Sequence, residues 1–95
     1  MTAAVFTTAP KVVVDRWTGA QAAALRVAVR ATNESFAHRL GTAVRTVAKW
    51  NASPHLVPML ELQRALDTAL AQASAEAQQR FLLLSQQSTT PGPVR

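Results

Sequence analysis

Apolar positions recur at intervals of three and four along most of this chain, the spacing of helices that each bury one face. Ala22, Leu25 and Val29 form the first such stripe. Ahead of it, Trp17-Thr18-Gly19-Ala20-Gln21 has the form of a helix start, with Thr18 as N-cap and Gln21 as its capping-box partner. This predicts a helix ending near Arg30. Thr32 is the expected N-cap of a second helix, running to about Leu40 with Phe36, Ala37 and Leu40 inward. A third is expected from Ala43 or Val44 to Trp50, with Val47 and Trp50 inward. Asn51, Ser53 and Pro54 give residues 51–57 a loop composition. Pro58 suits the first position of a fourth helix, whose stripe is Met59, Leu62, Leu66, Ala69 and Ala73, broadened by Leu60, Ala65 and Leu70. Ser74 is the expected cap of a fifth, carrying Ala77, Phe81 and Leu84. At the N-terminal end, Lys11-Val12-Val13-Val14 reads as a short strand or as an extended segment packed on the helices. From Ser85 to Arg95 the chain is polar with Pro91 and Pro93, and reads as disordered. The expected class is all-α with five helices. Residues 1–15 are an arm, 16–87 the domain and 88–95 a tail.

One stretch, Asn33 to Trp50, says more than helix periodicity. It reads as a helix, a tight glycine turn and a second helix with basic residues on its open face. Gly41 supplies the left-handed conformation that ends the first helix. Ala37 is small where the next helix crosses close above it, and Val47 turns inward between the two. This is the arrangement of a helix-turn-helix, whose second helix enters the major groove of DNA.

Composition narrows the alternatives. At 95 residues the chain is one domain. Apolar residues make up 48% but aromatics only 5%, so the core is expected from thin, close-packed, alanine-rich helices. With no cysteine, disulfides, thiolate metal sites and thiol catalysis are excluded. Two histidines, His38 and His55, are too few for a metal site by themselves. No apolar run approaches the roughly 18 residues of a membrane span, and the start lacks the form of a signal peptide. A cytoplasmic, nucleoid-associated protein is the expectation, without cofactor or small-molecule substrate. No glycine-rich phosphate loop and no paired carboxylates point to an enzyme, and Glu61, Asp67 and Glu76 are spaced as solvated helix faces.

The net charge of +5 is unevenly placed. Residues 1–55 hold seven Lys and Arg against two acids, whereas residues 56–95 hold three of each. All of the excess lies with the helix-turn-helix, as an electrostatic footprint for phosphate should.

Residues 18–70 resemble the Cro and lambda-repressor type of helix-turn-helix domain, the XRE family, and within it the small actinobacterial members. The likeness rests on Trp17-Thr18-Gly19, Ser35-Phe36-Ala37-His38-Arg39-Leu40-Gly41, Val44-Arg45-Thr46-Val47-Ala48-Lys49-Trp50 and Leu62-Gln63-Arg64-Ala65-Leu66-Asp67. The resemblance implies a lambda-repressor-like bundle whose third helix lies in the major groove. It points to Val44, Arg45, Ala48 and Lys49 on the groove-facing side, to Asn33 at a phosphate-holding position and to Thr46 at a backbone contact. The family usually has serine or threonine where Ala43 stands, and Thr42 is expected to take over that cap. Where the family often has glutamate after Trp50, this chain has Asn51.

Within that frame, Arg45 is expected to bond guanine in bidentate fashion and Lys49 to reach a base or a phosphate. Val44 reads as a contact to a thymine methyl or as simple packing. Thr42, Thr46, Asn51 and His55 join Asn33 as expected phosphate contacts. Arg39 reads as a phosphate clamp or a helix-end charge, Trp50 as core rather than a stacking platform, and His38 as a surface residue. Lys11 on the arm is a weak candidate for the minor groove. Only Arg45 and Lys49 are long readers, so a homodimer or DNA shape must supply further specificity. Leu66, Leu70, Phe81, Leu82, Leu83 and Leu84 are the expected dimer or partner surface. The alternative reading is an antitoxin-like interaction module that binds a protein partner through residues 59–84.

Overall fold

A computed structural model describes residues 13–89, and among these the chain is all-helical. Five helices follow one another: α1 (Gly19–Ala28), α2 (Asn33–Leu40), α3 (Val44–Ala52), α4 (Leu60–Gln72) and α5 (Ala75–Thr89). Val13 and Val14 form no strand; Val14 is half-buried against the helices, whereas Val13 is exposed. Lys11, Val12 and residues 1–10 lie outside the described residues, as do 90–95.

Thr18 caps α1, its hydroxyl accepting the Gln21 backbone N–H. The other half of the expected capping box does not form, because the Gln21 side-chain oxygen is buried without a partner. Instead, the first free N–H groups of α1 are taken by the loop after α3: Gly19 N donates to the Leu56 carbonyl at 2.7 Å and Ala20 N to that of Pro54 at 3.0 Å. A neighbouring backbone so close requires glycine at 19, since a Cβ there would meet the Ser53 and Trp50 carbonyl oxygens. At its other end α1 stops at Ala28, two residues before the expected Arg30. Arg30 adopts φ +60°, a left-handed value that a helix interior does not admit. Arg80 of α5 then donates its Nε–H to the free Ala28 carbonyl at 3.0 Å, a cation on the negative end of the helix.

α2 carries a reciprocal cap. Thr32 Oγ1 accepts from Ser35 N and Ser35 Oγ accepts from Thr32 N, each at 3.0 Å. At its end, Gly41 has φ +75°, Thr42 N bonds the Ala37 carbonyl and Gly41 N that of His38. These two bonds form a Schellman stop, as the glycine predicts. α3 departs from expectation at both ends. Ala43 is its N-cap and no side chain bonds the first turn, so Thr42 does not cap it: Thr42 stands one residue ahead of the N-cap position. It also runs to Ala52, which places Asn51 in the helix rather than the loop.

Pro58 precedes α4 by two residues instead of opening it. It is buried, and its carbonyl accepts from the Gln63 side chain at 2.8 Å. Ser74 caps α5 as predicted, its hydroxyl accepting from Ala77 N at 3.0 Å. α5 continues to Thr89, so the polar composition from Ser85 onward does not end the helix there.

One hydrophobic cluster joins the elements. Phe36 and Trp50 meet edge to face, centroids 6.5 Å apart, and fasten α2 to α3. Trp17 packs on Phe81 at 5.6 Å and fastens the start of α1 to α5. Leu25, Leu66 and Leu70 fill the space between. Small residues at Ala22, Ala28 and Ala37 are fully or almost fully buried and let the helices approach closely. Met59 and Leu60, expected on the inner stripe of α4, are instead 63% exposed, because they lie at its first turn, outside the cluster.

Candidate nucleic-acid interface

The capped stop at Gly41 leaves a three-residue connection between α2 and α3 and so sets their relative direction. Val47 and Trp50, both 1% exposed, then hold the inner face of α3 in the core. The opposite face must point outward, since positions 44, 45, 48 and 49 recur every three to four residues on the far side of the helix. Val44, Arg45, Ala48 and Lys49 are all exposed there. Arg45 and Lys49 are one turn apart, a rise of about 6 Å. Ala48 between them is small and leaves room for the helix to approach a groove floor. No side chain caps the N-terminus of α3, beside Val44.

The expected phosphate contacts are more scattered. Asn51 is exposed on the last turn of α3, and His55 is exposed in the loop that follows. Thr46 is half-buried on α3, and Thr42 is half-buried in the turn. Asn33, the first residue of α2, is half-buried with its side-chain oxygen enclosed and unpartnered. Arg30, His38 and Arg39 border a separate cleft floored by Phe36, so these basic groups do not extend the α3 face. His38 is exposed on α2, as expected.

The expected dimer surface is corrected in large part. Leu66, Leu70 and Phe81 are at most 2% exposed and belong to the core, because α4 and α5 turn these side chains toward α1 and α2. Leu84 is half-buried against the same cluster. Leu82 and Leu83 remain, 42% and 61% exposed on the outer side of α5. Three consecutive leucines on one helix cannot share a face, and the core takes only one of them.

A feature that the periodicity did not signal lies beside α3. Arg45, Thr46 and Lys49 form one wall of a groove whose other wall is Leu56, Val57 and Met59. Four large apolar side chains, Leu56, Val57, Met59 and Leu60, are between 38% and 63% exposed along this stretch. Helical spacing assigns Met59 and Leu60 to the core stripe of α4, and a loop hides its exposed apolar residues from any periodic pattern.

Among the described residues no cluster of three metal-ligating side chains occurs, and no helix is long and apolar enough to cross a membrane. Comparison with protein-family models, curated proteins and solved structures finds no match to this chain.

Proposed function

We propose that this chain is a sequence-reading, double-stranded DNA-binding regulator of the XRE helix-turn-helix type. One observation carries the reading. The outward face of α3 consists of Val44, Arg45, Ala48 and Lys49, while Val47 and Trp50 of the same helix are buried, behind a short glycine turn from a capped α2. A helix anchored by one face and basic on the other is what major-groove insertion requires. Arg45 is the guanine reader and Lys49 reads a base or holds a phosphate. The open N-terminus of α3 favours a phosphate oxygen. Thr42, Thr46, Asn51, His55 and the amide nitrogen of Asn33 are the accessory backbone contacts.

Two long readers on one short helix give little specificity, so the active species is a homodimer on a two-fold site. Leu82 and Leu83 are its contact, since they are the expected interface residues that the core leaves exposed.

The test is selection of duplexes from a randomised pool, followed by fluorescence anisotropy across a salt series. A common motif should emerge, bound more tightly than a scrambled duplex, with the preference lost in Arg45→Ala plus Lys49→Ala. Weak and equal binding to both duplexes, unchanged by those substitutions, would overturn the reading.

A further inference from the structure

We propose that the groove between α3 and the start of α4 is a docking site for an acidic amphipathic segment of a partner protein, and that its occupancy masks the DNA-reading face. The masking rests on the function proposed above; the docking does not.

Exposed apolar side chains scattered singly need no explanation, but four within five residues do. Leu56, Val57, Met59 and Leu60 are such a group; the first three line the groove, and Leu60 is exposed next to Met59 outside that lining. The surface is preformed, because three hydrogen bonds hold the backbone beneath it. Leu56 N donates to the Ser53 carbonyl at 3.0 Å, the Leu56 carbonyl accepts from Gly19 N at 2.7 Å, and the Pro58 carbonyl accepts from Gln63 at 2.8 Å. Docking therefore demands little ordering of the loop, which favours binding.

Charge selects the occupant. Arg45 and Lys49 stand on the wall facing the apolar residues. DNA satisfies the two cations but leaves Met59 and Leu60, each 63% exposed, beside phosphates or water. A second copy docked by the same face would bring both copies of Arg45 and Lys49 into one interface with no acid among the groove's lining residues to offset them, which costs binding energy. A helix with an apolar stripe flanked by Asp or Glu satisfies both walls. Such a segment and DNA share Arg45 and Lys49, so they exclude each other.

A display library of helical peptides of about 18 residues, five turns, tests this directly. It is selected on the full chain and counter-selected on a Met59→Ser, Leu60→Ser variant. Serine at 59 occupies the N-cap of α4, a position it favours, and both side chains are exposed, so the variant retains its fold, checked by circular dichroism. Enriched peptides should carry apolar residues at three- and four-residue spacing flanked by acids. Their affinity should fall about tenfold or more in Met59→Ser, Leu60→Ser and in Arg45→Ala, Lys49→Ala, and they should displace a bound duplex. Failure to enrich, or enrichment of neutral or basic peptides, overturns the proposal. Sedimentation with phosphatidylglycerol vesicles that depends on Met59 and Leu60, without peptide enrichment, assigns the surface to lipid and overturns it equally. Failure of the DNA reading is separately visible: the peptide binds, but no duplex does, in the wild type.

Discussion

The Trp17 indole N–H donates to the Asp67 carboxylate at 2.7 Å, joining residues fifty positions apart. This bond ties the segment ahead of α1 to α4, while the Trp17 ring packs on Phe81 of α5. Asp67 is exposed, as its spacing predicts, and is at the same time a structural acceptor. Asp67→Ala strands a donor on a 1% exposed tryptophan and should cost about 1–3 kcal/mol in urea unfolding. Asp67→Asn keeps an acceptor and should cost less. In a Trp17→Phe background, Asp67→Ala should cost close to nothing. An equal loss in both backgrounds would mean the bond contributes no stability.

Gly19 and Gly41 should respond to alanine in opposite degree. At Gly19 the added Cβ meets backbone oxygens of Ser53 and Trp50, which cannot rotate away. Gly19→Ala should therefore cost at least about 2 kcal/mol and loosen the loop from α1. At Gly41 nothing lies within 4 Å, and only the φ of +75° opposes a side chain. Gly41→Ala should cost about 1 kcal/mol. Thermal unfolding ranks the two; a larger loss at Gly41 contradicts the packing described.

The leucines of α4 and α5 separate stability from assembly. Leu66 is fully buried, so Leu66→Ala should cost about 2–5 kcal/mol. Leu83 is 61% exposed, so Leu83→Ser should leave the unfolding free energy of the monomer within about 0.5 kcal/mol. In sedimentation velocity, Leu82→Ser plus Leu83→Ser should convert the proposed dimer to monomer. A dimer that survives both changes lies elsewhere on the surface.

Arg45 and Lys49 should differ in how their loss reads out on DNA. Arg45→Ala should relax preference at one base pair, by about 1–3 kcal/mol, with affinity for other sequences less affected. If Lys49 holds a phosphate, Lys49→Ala should weaken all duplexes alike and lower the salt slope by about one. Binding isotherms on single-mismatch duplexes at several salt concentrations distinguish base reading from phosphate holding.

Local rules are written locally, and most were legible there, although the Gln21 half of a capping box, a Thr42 cap and a helix start at Pro58 did not form. The five helices follow from three- and four-residue apolar spacing, and the caps at Thr18, Thr32 and Ser74 follow from side chains that bond backbone within three residues. The stop at Gly41 follows from glycine's access to positive φ. The outward face of α3 was legible for the same reason, since burial of Val47 and Trp50 leaves one orientation for positions 44, 45, 48 and 49. Decisions that required distant chain segments were not legible. Leu66, Leu70 and Phe81 are equally apolar on a dimer surface or in a core, and only the packing of α4 and α5 against the other helices put them inside. Pairing of Trp17 with Asp67, the exposure of Met59 and Leu60, and the use of loop carbonyls to satisfy the first turn of α1 have the same origin. Periodicity states which residues share a face of one helix, whereas what covers that face is decided by the meeting of elements far apart in the chain.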